Sequence, residues 1–444
     1  MTPLCGLLLV CLAVLTATSP LSFRHADGGR SGENSRVIQG DIMLTASQAD
    51  LLETASGEEG QALVENDLFH LWDKTRPISY QMLVGFNFTA QNIIRKAFQY
   101  WNDHLCVNFQ EGGQTRPIIQ VQIDYKLKGC RSNVGTIRED HQNLYLYETC
   151  FNYGTVIHEI GHALGFFHEH VRTDRDAYVT IDQNNVESKF YERNYKLLTA
   201  ENRSNWMIPY DYGSIMQYNR FVPSPPAYNP NIPIMNPTPG NELFRETMGQ
   251  TINPSFLDLK LMNRLYRCEA SCAHQQHVQC ANGGFPNPKN CNECICPWGF
   301  SKTNCFDRDP GQNGSRTCGE FLWADEQWRT IEAYVGQNTQ ALRDYHDHCH
   351  WHIRSKKQRV QLRVIQLDSL YKIKGWYLTR DHGCGINNVE LKLARSMERT
   401  GYRFCIRNDV EFLKDKWLIS EDQLAVVSAY AKGVQYFKIE YRAI

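Results

Sequence analysis

The sequence predicts an α+β protein of three folded units, and three observations support this fold class. Its 444 residues exceed what one hydrophobic core usually organises. The cysteines beyond residue 100 form three groups: four widely spaced, six crowded and four widely spaced. After residue 318, short segments alternate apolar and polar side chains, a period typical of β-strands. We therefore expect a mixed helix and strand unit, a small disulfide-rich module and a β-sandwich, in that order.

The first nineteen residues are predicted to be a secretory signal. Residues 4–15 are apolar, and the small residues that follow, from Ala17 to Ser19, provide a cleavage region. This run is too short to span a bilayer, and no later segment approaches a spanning length. We therefore expect a secreted, extracellular protein without a membrane span.

The cysteine content agrees with export, and the net charge limits the classes of partner that the protein can bind. The formal net charge is −1, which leaves no basic excess for nucleic acid or anionic membrane, so proteins and peptides are the expected partners. Of the 16 cysteines, only Cys5 and Cys11 fall in the signal, and the even remainder suits an oxidising compartment. Glycosylation acceptors are predicted at Asn87, Asn202 and Asn313.

A metal-binding helix is predicted at residues 158–168, which read HEIGHALGFFH. His158 and His162 are four residues apart and so share a helix face, with Glu159 beside them. Gly165 can end the helix and turn the chain, which brings His168 round as a third ligand. Three histidines leave one position open for water, as in catalytic zinc sites. Isolated HExxH motifs also arise by chance, but five matched positions favour one bound zinc.

The family resemblance rests on three further segments: residues 214–218 (SIMQY), 168–176 (HEHVRTDRD) and 210–212 (YDY). The first resembles the methionine turn of metzincins, and together they resemble the astacin family of zinc metalloendopeptidases over residues 63–268. The resemblance implies a two-lobed catalytic domain with an active-site cleft, in which Met216 packs beneath the zinc. It also implies that Tyr218 is a displaceable zinc ligand that later donates to the oxyanion. Glu159 would be the base that assists attack by zinc-bound water. The bridges implied are Cys106–Cys268 and Cys130–Cys150.

Residues 20–62 are predicted to be a propeptide. Their composition alone favours a flexible segment. Residues 38–41 (IQGD) resemble the family's Phe-x-Gly-Asp sequence, which implies that Asp41 binds the zinc in the latent form; an ordinary turn aspartate is the alternative. The resemblance also implies that cleavage near Leu63 creates a new amino terminus that reaches Glu169. No basic residue precedes Leu63 closely, so the activating protease stays unidentified.

Two modules are predicted after the catalytic unit. Residues 269–306 resemble an EGF-like domain and residues 307–444 resemble a CUB domain, a β-sandwich. The six crowded cysteines alone allow fifteen pairings. The EGF-like resemblance implies Cys272–Cys291, Cys280–Cys294 and Cys296–Cys305, and the CUB resemblance implies Cys318–Cys349 and Cys384–Cys405.

Two alternatives remain open. The chain could be an inactive protease-like protein that binds partners through its EGF-like and CUB domains, although Glu159 and all three histidines are retained. For an active enzyme, extracellular matrix or cuticle proteins are the expected substrates. Separately, strand alternation puts the four histidines of residues 345–352 (YHDHCHWH) on one face. We expect a solvent-facing strand there, with a second metal site as the alternative.

Overall fold

The computed structural model describes most of the chain beyond residue 34. The predicted signal and Asn202 lie outside the described residues. Asn87 is exposed and Asn313 is half-buried. Within the part described, no helix combines the length and apolar character that crossing a membrane requires. The described residues are 35–54, 62–63, 68–126, 128–137, 139–197, 203–204, 207–221, 232–273, 277–337, 343–356, 358–370, 372–373, 376–377 and 384–444.

A seven-stranded mixed sheet forms the base of the first unit, in the order β1-β2-β7-β8-β6-β4-β5. Its outer strands β1 and β2 come from the predicted propeptide, and β2 pairs in parallel with β7. The propeptide therefore extends the sheet of the catalytic unit. The strands are β1 (Ser35–Ile38), β2 (Ile42–Thr45), β3 (Ala62–Leu63), β4 (Ile78–Met82), β5 (Phe109–Glu111), β6 (Ile118–Ile123), β7 (Arg131–Asn133), β8 (His141–Leu146), β9 (Val179–Ile181), β10 (Arg203–Ser204) and β11 (Met235–Pro237).

Helices α2 and α3 pack together in the core of this unit. The Trp101 ring of α2 donates a hydrogen bond from Nε1 to the Ile157 carbonyl of α3, at 3.2 Å. Both helices begin after an asparagine, Asn87 or Asn152, whose side chain accepts a backbone N–H of the first turn, a favourable N-cap. The helices of the unit are α1 (Ala46–Thr54), α2 (Phe88–His104), α3 (Tyr153–Leu164), α4 (Ser188–Asn194) and α5 (Phe256–Leu265).

Residues 35–54 are structured, so the prediction of a flexible segment is wrong for this part of the propeptide. Ile42 and Leu44 are fully buried and cluster with Phe69, Val134 and Phe167 of the catalytic unit. The few apolar side chains of the segment thus find partners far along the chain. A composition average cannot register such long-range burial.

The small module and the sandwich lie after the catalytic unit in the chain and have the strand content that their resemblances imply. The module is a two-stranded hairpin, and the sandwich has a five-stranded sheet (β14-β16-β23-β20-β21) facing a four-stranded sheet (β15-β24-β17-β22). Trp351 and Phe437 meet edge to face between the sheets, 5.2 Å apart. The elements are β12 (Phe285–Asn287), β13 (Asn290–Ile295), β14 (Phe321–Trp323), β15 (Arg329–Gly336), β16 (Asp347–Arg354), β17 (Val360–Leu370), β18 (Lys372–Ile373), β19 (Trp376–Tyr377), β20 (Asn387–Lys392), β21 (Tyr402–Phe404), α6 (Arg407–Leu413), β22 (Leu418–Ile419), β23 (Leu424–Ala431) and β24 (Val434–Ala443).

The disulfides pair as the resemblances imply. Two tie the catalytic unit, three the small module and two the sandwich. They are Cys106–Cys268, Cys130–Cys150, Cys272–Cys291, Cys280–Cys294, Cys296–Cys305, Cys318–Cys349 and Cys384–Cys405.

Part of the histidine face of β16 is buried against the small module, so the expectation of a solvent-facing strand is wrong for His350 and His352. His350 is 2% exposed and His352 is 0% exposed. Nε2 of His352 donates to the Gly299 carbonyl at 3.0 Å, and its ring lies 4.8 Å from that of Phe300. Alternation correctly predicts which histidines share a face, but the small module covers part of that face.

The sandwich also contacts the catalytic unit. The Thr400 hydroxyl donates to Asp211 Oδ2 at 3.0 Å, and the Arg403 N–H donates to Thr247 Oγ1 at 3.0 Å. Asp211 lies just before the predicted methionine turn. The sandwich therefore packs directly behind a segment that shapes the metal site.

Candidate metal centre

Helix α3 carries the first two predicted ligands, and its C-terminus directs the third. His158 and His162 lie on one face of α3, with ring centroids 4.7 Å apart. Gly165 ends the helix in the left-handed region, at φ 117°, where a side chain is unfavourable. The chain then turns so that His168 lies 4.8 Å from His162, ring to ring. The predicted turn at Gly165 is confirmed.

Each of the three imidazoles is oriented by an oxygen at its Nδ1. Because carbonyl and amide oxygens only accept, each Nδ1 carries the proton and each Nε2 keeps its lone pair for a metal. The oxygens are Ile215 O for His158 at 2.8 Å, Phe166 O for His162 at 2.7 Å and Gln39 Oε1 for His168 at 2.7 Å.

Asp41 of the propeptide faces these three nitrogens. Its oxygens lie 3.5 Å from His158 Nε2, 3.6 Å from His162 Nε2 and 3.3 Å from His168 Nε2. Direct charge-assisted hydrogen bonds would be shorter, about 2.7–2.9 Å. Atoms that bind one tetrahedral zinc at about 2.0–2.1 Å lie about 3.3 Å from one another. The four side chains therefore fit a zinc ion held between them.

Buried polar atoms at the centre support the same fit. Both Asp41 oxygens and His162 Nε2 are buried and accept no hydrogen bond from the described residues. Buried polar atoms normally have partners, so such a group needs an explanation. A cation that binds all of them supplies one.

Glu159 lies beside the ligands but outside the converging set. Its carboxylate is fully buried, and neither oxygen has a hydrogen-bond partner in the described part of the chain. Burial raises the pKa of Glu159 well above its ordinary value, and the neighbouring Asp41 raises it further, while Arg131 lowers it. The carboxyl group therefore holds a proton more readily than an exposed glutamate does.

The methionine turn packs beneath α3. Met216 is fully buried, and a Cβ added at Gly161 would lie 3.3 Å from the Met216 sulfur. A larger residue at position 161 would therefore press on the turn. This geometry fits the packing role expected of Met216.

Asp258 fixes the methionine turn and was missed from the sequence. Its Oδ1 accepts the Ser214 hydroxyl at 2.6 Å and its Oδ2 accepts the Ile215 N–H at 2.8 Å. Because the Ile215 carbonyl orients His158, Asp258 supports a ligand from behind. A capping box links Ser255 and Asp258 at the start of α5, and this S-x-x-D spacing could have drawn attention to Asp258.

Tyr218 lies next to the three histidines, and its predicted role as a displaceable ligand stays a prediction. Its hydroxyl donates to the Gln39 carbonyl of the propeptide. Its ring lies 4.5 Å from that of His168. The propeptide thus engages both Tyr218, through Gln39, and the three histidines, through Asp41.

Glu169 follows the third histidine and is also buried. Its Oε1 accepts the Asp211 N–H at 2.8 Å and the Arg172 side chain at 3.2 Å. Its Oε2 has no hydrogen-bond partner among the described residues. Burial is the main cause that raises the pKa of Glu169 to about 8, against the lowering effect of Arg172.

The propeptide covers the sheet edge next to the centre. The Ser132 N–H donates to the Asp41 carbonyl at 2.9 Å, and Asn133 Nδ2 donates to the Met43 carbonyl at 3.0 Å. Ile42 and Met43 pair in parallel with Ser132 and Asn133. An edge strand that offers unpaired backbone groups is a ready site for an extended peptide.

Comparisons with known proteins find similarity between this chain and zinc proteases. The family model described as Astacin, a peptidase family, matches residues 64–267. Zinc metalloproteinase nas-31 of Caenorhabditis elegans is 33% identical over 402 residues, 87% of this chain and 60% of that relative. Zinc metalloproteinase nas-27 of the same organism is 31% identical over 432 residues, 93% of this chain and 91% of that relative. High choriolytic enzyme 1, a hatching enzyme zinc-protease from Oryzias latipes, is 26% identical and covers 46% of this chain and 98% of its own, with a TM-score of 0.40.

Proposed function

The chain belongs to the astacin family of zinc metalloendopeptidases, and on this premise we propose that it is a secreted enzyme, made in a latent form, that hydrolyses extracellular proteins. The observation that carries the proposal is the convergence of three Nε2 atoms beside the buried carboxylate of Glu159. An exported protease with adhesive modules suits matrix or cuticle proteins as substrates.

The residues present define the chemistry. His158, His162 and His168 would hold the zinc, which when bound supplies the Lewis acidity that activates water and polarises a peptide carbonyl. Glu159 is the general base and later the acid. Its raised pKa favours taking a proton from the attacking water, which Glu159 later returns to the leaving amine.

Tyr218 is proposed to act after the propeptide leaves. Its hydroxyl is engaged by the Gln39 carbonyl in the present arrangement. Loss of residues 39–41 would release this hydroxyl next to the three histidines. We assign it two roles in the active enzyme: a displaceable ligand, and a donor to the oxyanion that forms during attack, where such a bond acts most strongly.

Glu159→Ala tests the activity directly. Wild type and the variant would be expressed as the secreted full chain, cut near Leu63, and assayed for zinc content and for hydrolysis of a denatured protein. We expect both to bind zinc, but only wild type to cleave, with its activity lost to a chelator. If correctly cut wild type holds zinc in the centre and cleaves nothing, the chain is instead an inactive scaffold that binds partners through its modules.

Latency is proposed to depend on Asp41. Its carboxylate faces all three histidine nitrogens, while its backbone pairs with the β7 edge. Asp41→Ala should therefore raise the activity of the uncut chain by roughly tenfold or more, since losing about 1.4 kcal/mol of inhibitory binding gives that factor. Asp50→Ala, an exposed aspartate of α1, is the matched control. Equal inactivity of uncut Asp41→Ala and uncut wild type, with both active once cut, would remove Asp41 from the mechanism.

Glu169 is proposed to receive the new amino terminus after cleavage. The buried Oε2 of Glu169 lacks a partner in the described chain, so an ammonium group would satisfy it. Chains cut at Leu63 and one residue further upstream would be compared for activity and for Tm. A higher Tm only for the correctly trimmed chain supports this contact, whereas equal values contradict it.

A further inference from the structure

A cavity of about 610 Å³ lies where the catalytic unit, the small module and the sandwich meet. Tyr100 and Asn253 line it from the catalytic unit, Pro297 and Trp298 from the module, and Tyr430 from the sandwich. The exposed part of the histidine face of β16 also opens into this cavity. It is separate from the centre around His158.

Three potential metal ligands converge in this cavity. Asp309 comes from the segment that leaves the small module, and His348 and His350 come from alternate positions of β16. Each offers one ligand atom, and these atoms lie within 4.8 Å of one another. Strand alternation makes the two histidines neighbours on one face, and the segment after the module brings the carboxylate to them.

The ligands are supported from behind. The Ser428 hydroxyl lies 2.8 Å from His350 Nδ1, which leaves Nε2 of the same ring for another partner. The Gly311 N–H donates to Asp309 Oδ1 at 2.7 Å, so Oδ2 stays available. Hydrogen bonds of this kind orient metal ligands and fix which atom faces the ion.

Arg308 joins the two segments that carry the ligands. Its Nη1 donates to the carbonyls of Asp309 at 2.7 Å, Cys318 at 2.9 Å and His350 at 3.4 Å. These hydrogen bonds therefore fix the backbone of the segment that leaves the small module relative to the backbone of β16. A site built on such tied segments loses little conformational entropy when it binds an ion.

The ring of His348 has no hydrogen bond to any described residue, although it lies beside the buried ring of His350. A partly buried imidazole with two free nitrogens usually finds a polar partner. Two imidazole nitrogens and one carboxylate oxygen form a ligand set that zinc and related divalent transition metals accept, with a fourth position for water. Their ligand atoms lie within 4.8 Å of one another, so small side-chain rotations suffice to reach the separation of about 3.3 Å expected around zinc.

We propose that Asp309, His348 and His350 form a second zinc site, which ties the segment that leaves the small module to β16 of the sandwich. Asp309 lies just after the end of the small module at residue 306, so the ion would fix the junction between the two modules by holding this connecting segment against β16. The role is structural and independent of the catalytic centre.

Metal content of the purified full chain tests the proposal. Wild type, freed of loose metal by gel filtration, should hold about two zinc ions per chain, as two three-ligand sites would. Asp309→Asn, which keeps the shape of the side chain, and His350→Gln should each hold about one. His346→Gln is the matched control: it lines the same cavity, but its Nε2 contacts the Gly385 carbonyl at 2.8 Å, so two ions should remain.

Variants distinguish the zinc bound at the catalytic centre from the zinc bound at the second site. His162→Ala should lose the catalytic ion and keep the junction ion, and added zinc should still raise its Tm. His162→Ala combined with Asp309→Asn should show no rise. The proposal is overturned if wild type with an occupied catalytic centre holds only one zinc, or if Asp309→Asn and His350→Gln both hold as much zinc as wild type. Proteolytic activity of the Asp309→Asn chain after cleavage near Leu63 verifies that its catalytic unit has folded.

Discussion

Helix α3 and strand β16 both carry histidines that share one face, but the surroundings of the two faces differ. On α3 the spacing of four residues joins His158 and His162, and main-chain carbonyls fix both Nδ1 atoms. On β16 the spacing of two residues joins His350 and His352, whose Nδ1 atoms face a serine hydroxyl in one case and no described partner in the other. Periodicity thus predicts which side chains share a face. What covers that face decides their chemistry.

The rigid support of the α3 histidines is what makes that centre suited to catalysis. Their partners are the carbonyls of Phe166, just after the helix, and Ile215, in the methionine turn, so both ligand nitrogens are oriented before an ion arrives. The β16 histidines instead lie between two modules and depend on how those modules pack. We therefore expect substitutions around His158 to alter proteolytic activity. Substitutions around His350 should instead alter the stability of the contact between the small module and the sandwich.

The largest expected effect is a loss of proteolytic activity that follows a substitution on the α3 histidine face but not one on the β16 face. His162→Ala removes a ligand and should lower the hydrolysis of denatured protein by on the order of 10³ or more, because the metal contributes several kcal/mol to the barrier. His350→Ala should leave hydrolysis within about twofold, since β16 does not touch the catalytic ligands. Initial rates at matched concentrations of cut protein give both values.

His141→Ala, an exposed histidine of β8, is the control for loss of an imidazole as such. A His350→Ala chain that is folded yet as inactive as His162→Ala would contradict the separation. The two faces would then act as one unit.

The second effect tests the support behind His158. Asp258→Asn replaces a carboxylate that accepts the Ser214 hydroxyl and the Ile215 N–H with an amide that can accept at only one end. We expect a loss of about 2–3 kcal/mol in the free energy of unfolding, because buried hydrogen bonds to a charged group are lost. Activity should fall by about 10–100-fold, as for changes to groups that orient metal ligands.

Urea unfolding of the full chain measures the stability change, and Asp103→Asn, an exposed aspartate of α2, is the comparison. If Asp258→Asn loses stability but keeps full activity, the turn does not position His158. If neither changes, the contacts of Asp258 carry little energy.

The parts of the fold that the sequence predicted are those encoded locally. The ligand spacing on α3, the turn at Gly165 and the alternation of the sandwich strands each depend on residues a few positions apart. The disulfide pairs followed from resemblance, since fifteen pairings were open for the small module alone. Local pattern and resemblance together therefore predicted the catalytic ligands and the three folded units.

The parts that escaped prediction depend on contacts between distant segments. Ile42 and Leu44 are buried only because they pack against Val134 and Phe167, which lie far along the chain. His352 is buried only because the module packs on β16, more than fifty residues after the module's Gly299 in the chain. Neither event leaves a periodic signal in the segment itself. Asp258 is intermediate: its capping box is local, but its contact with Ser214 is not.

The third effect tests whether the packing of the small module on β16 stabilises the protein. His352→Ala removes a hydrogen bond to the Gly299 carbonyl and ring contacts with Phe300 and Phe321, at 4.8 and 5.4 Å. We expect the junction to lose about 2 kcal/mol, from the cavity and the unpaired carbonyl. Differential scanning calorimetry of the full chain should show a lower midpoint for the sandwich and an unchanged catalytic rate.

His277→Ala, an exposed histidine of the small module, should leave both readings unchanged. A His352→Ala chain with the wild-type midpoint would show that the module rests on β16 without stabilising it. The burial of the histidine face would then be incidental.

The smallest effect concerns the contact between the catalytic unit and the sandwich. Arg245 of the catalytic unit lies 3.0 Å from the Asp409 carboxylate, and its guanidinium stacks 3.5 Å above the Phe412 ring. Arg245→Gln should cost only about 1 kcal/mol in the free energy of unfolding, because a partly exposed ion pair and one cation-π contact contribute modestly. The buried Asp409 also keeps the N–H groups of Cys405 and Ile406, so it is not left without partners.

Arg395→Gln is the matched control, since Arg395 is mostly exposed and only 3.6 Å from Asp422 within the sandwich. Limited proteolysis of both chains would be compared, with cleavage between the catalytic unit and the sandwich as the measure of separation. Faster cleavage of Arg245→Gln alone means that the catalytic unit helps to hold the sandwich over the module, and hence helps to bury the β16 histidines. Equal rates mean that the module alone covers that strand, so the two histidine faces are independent in their folding as well as in their chemistry.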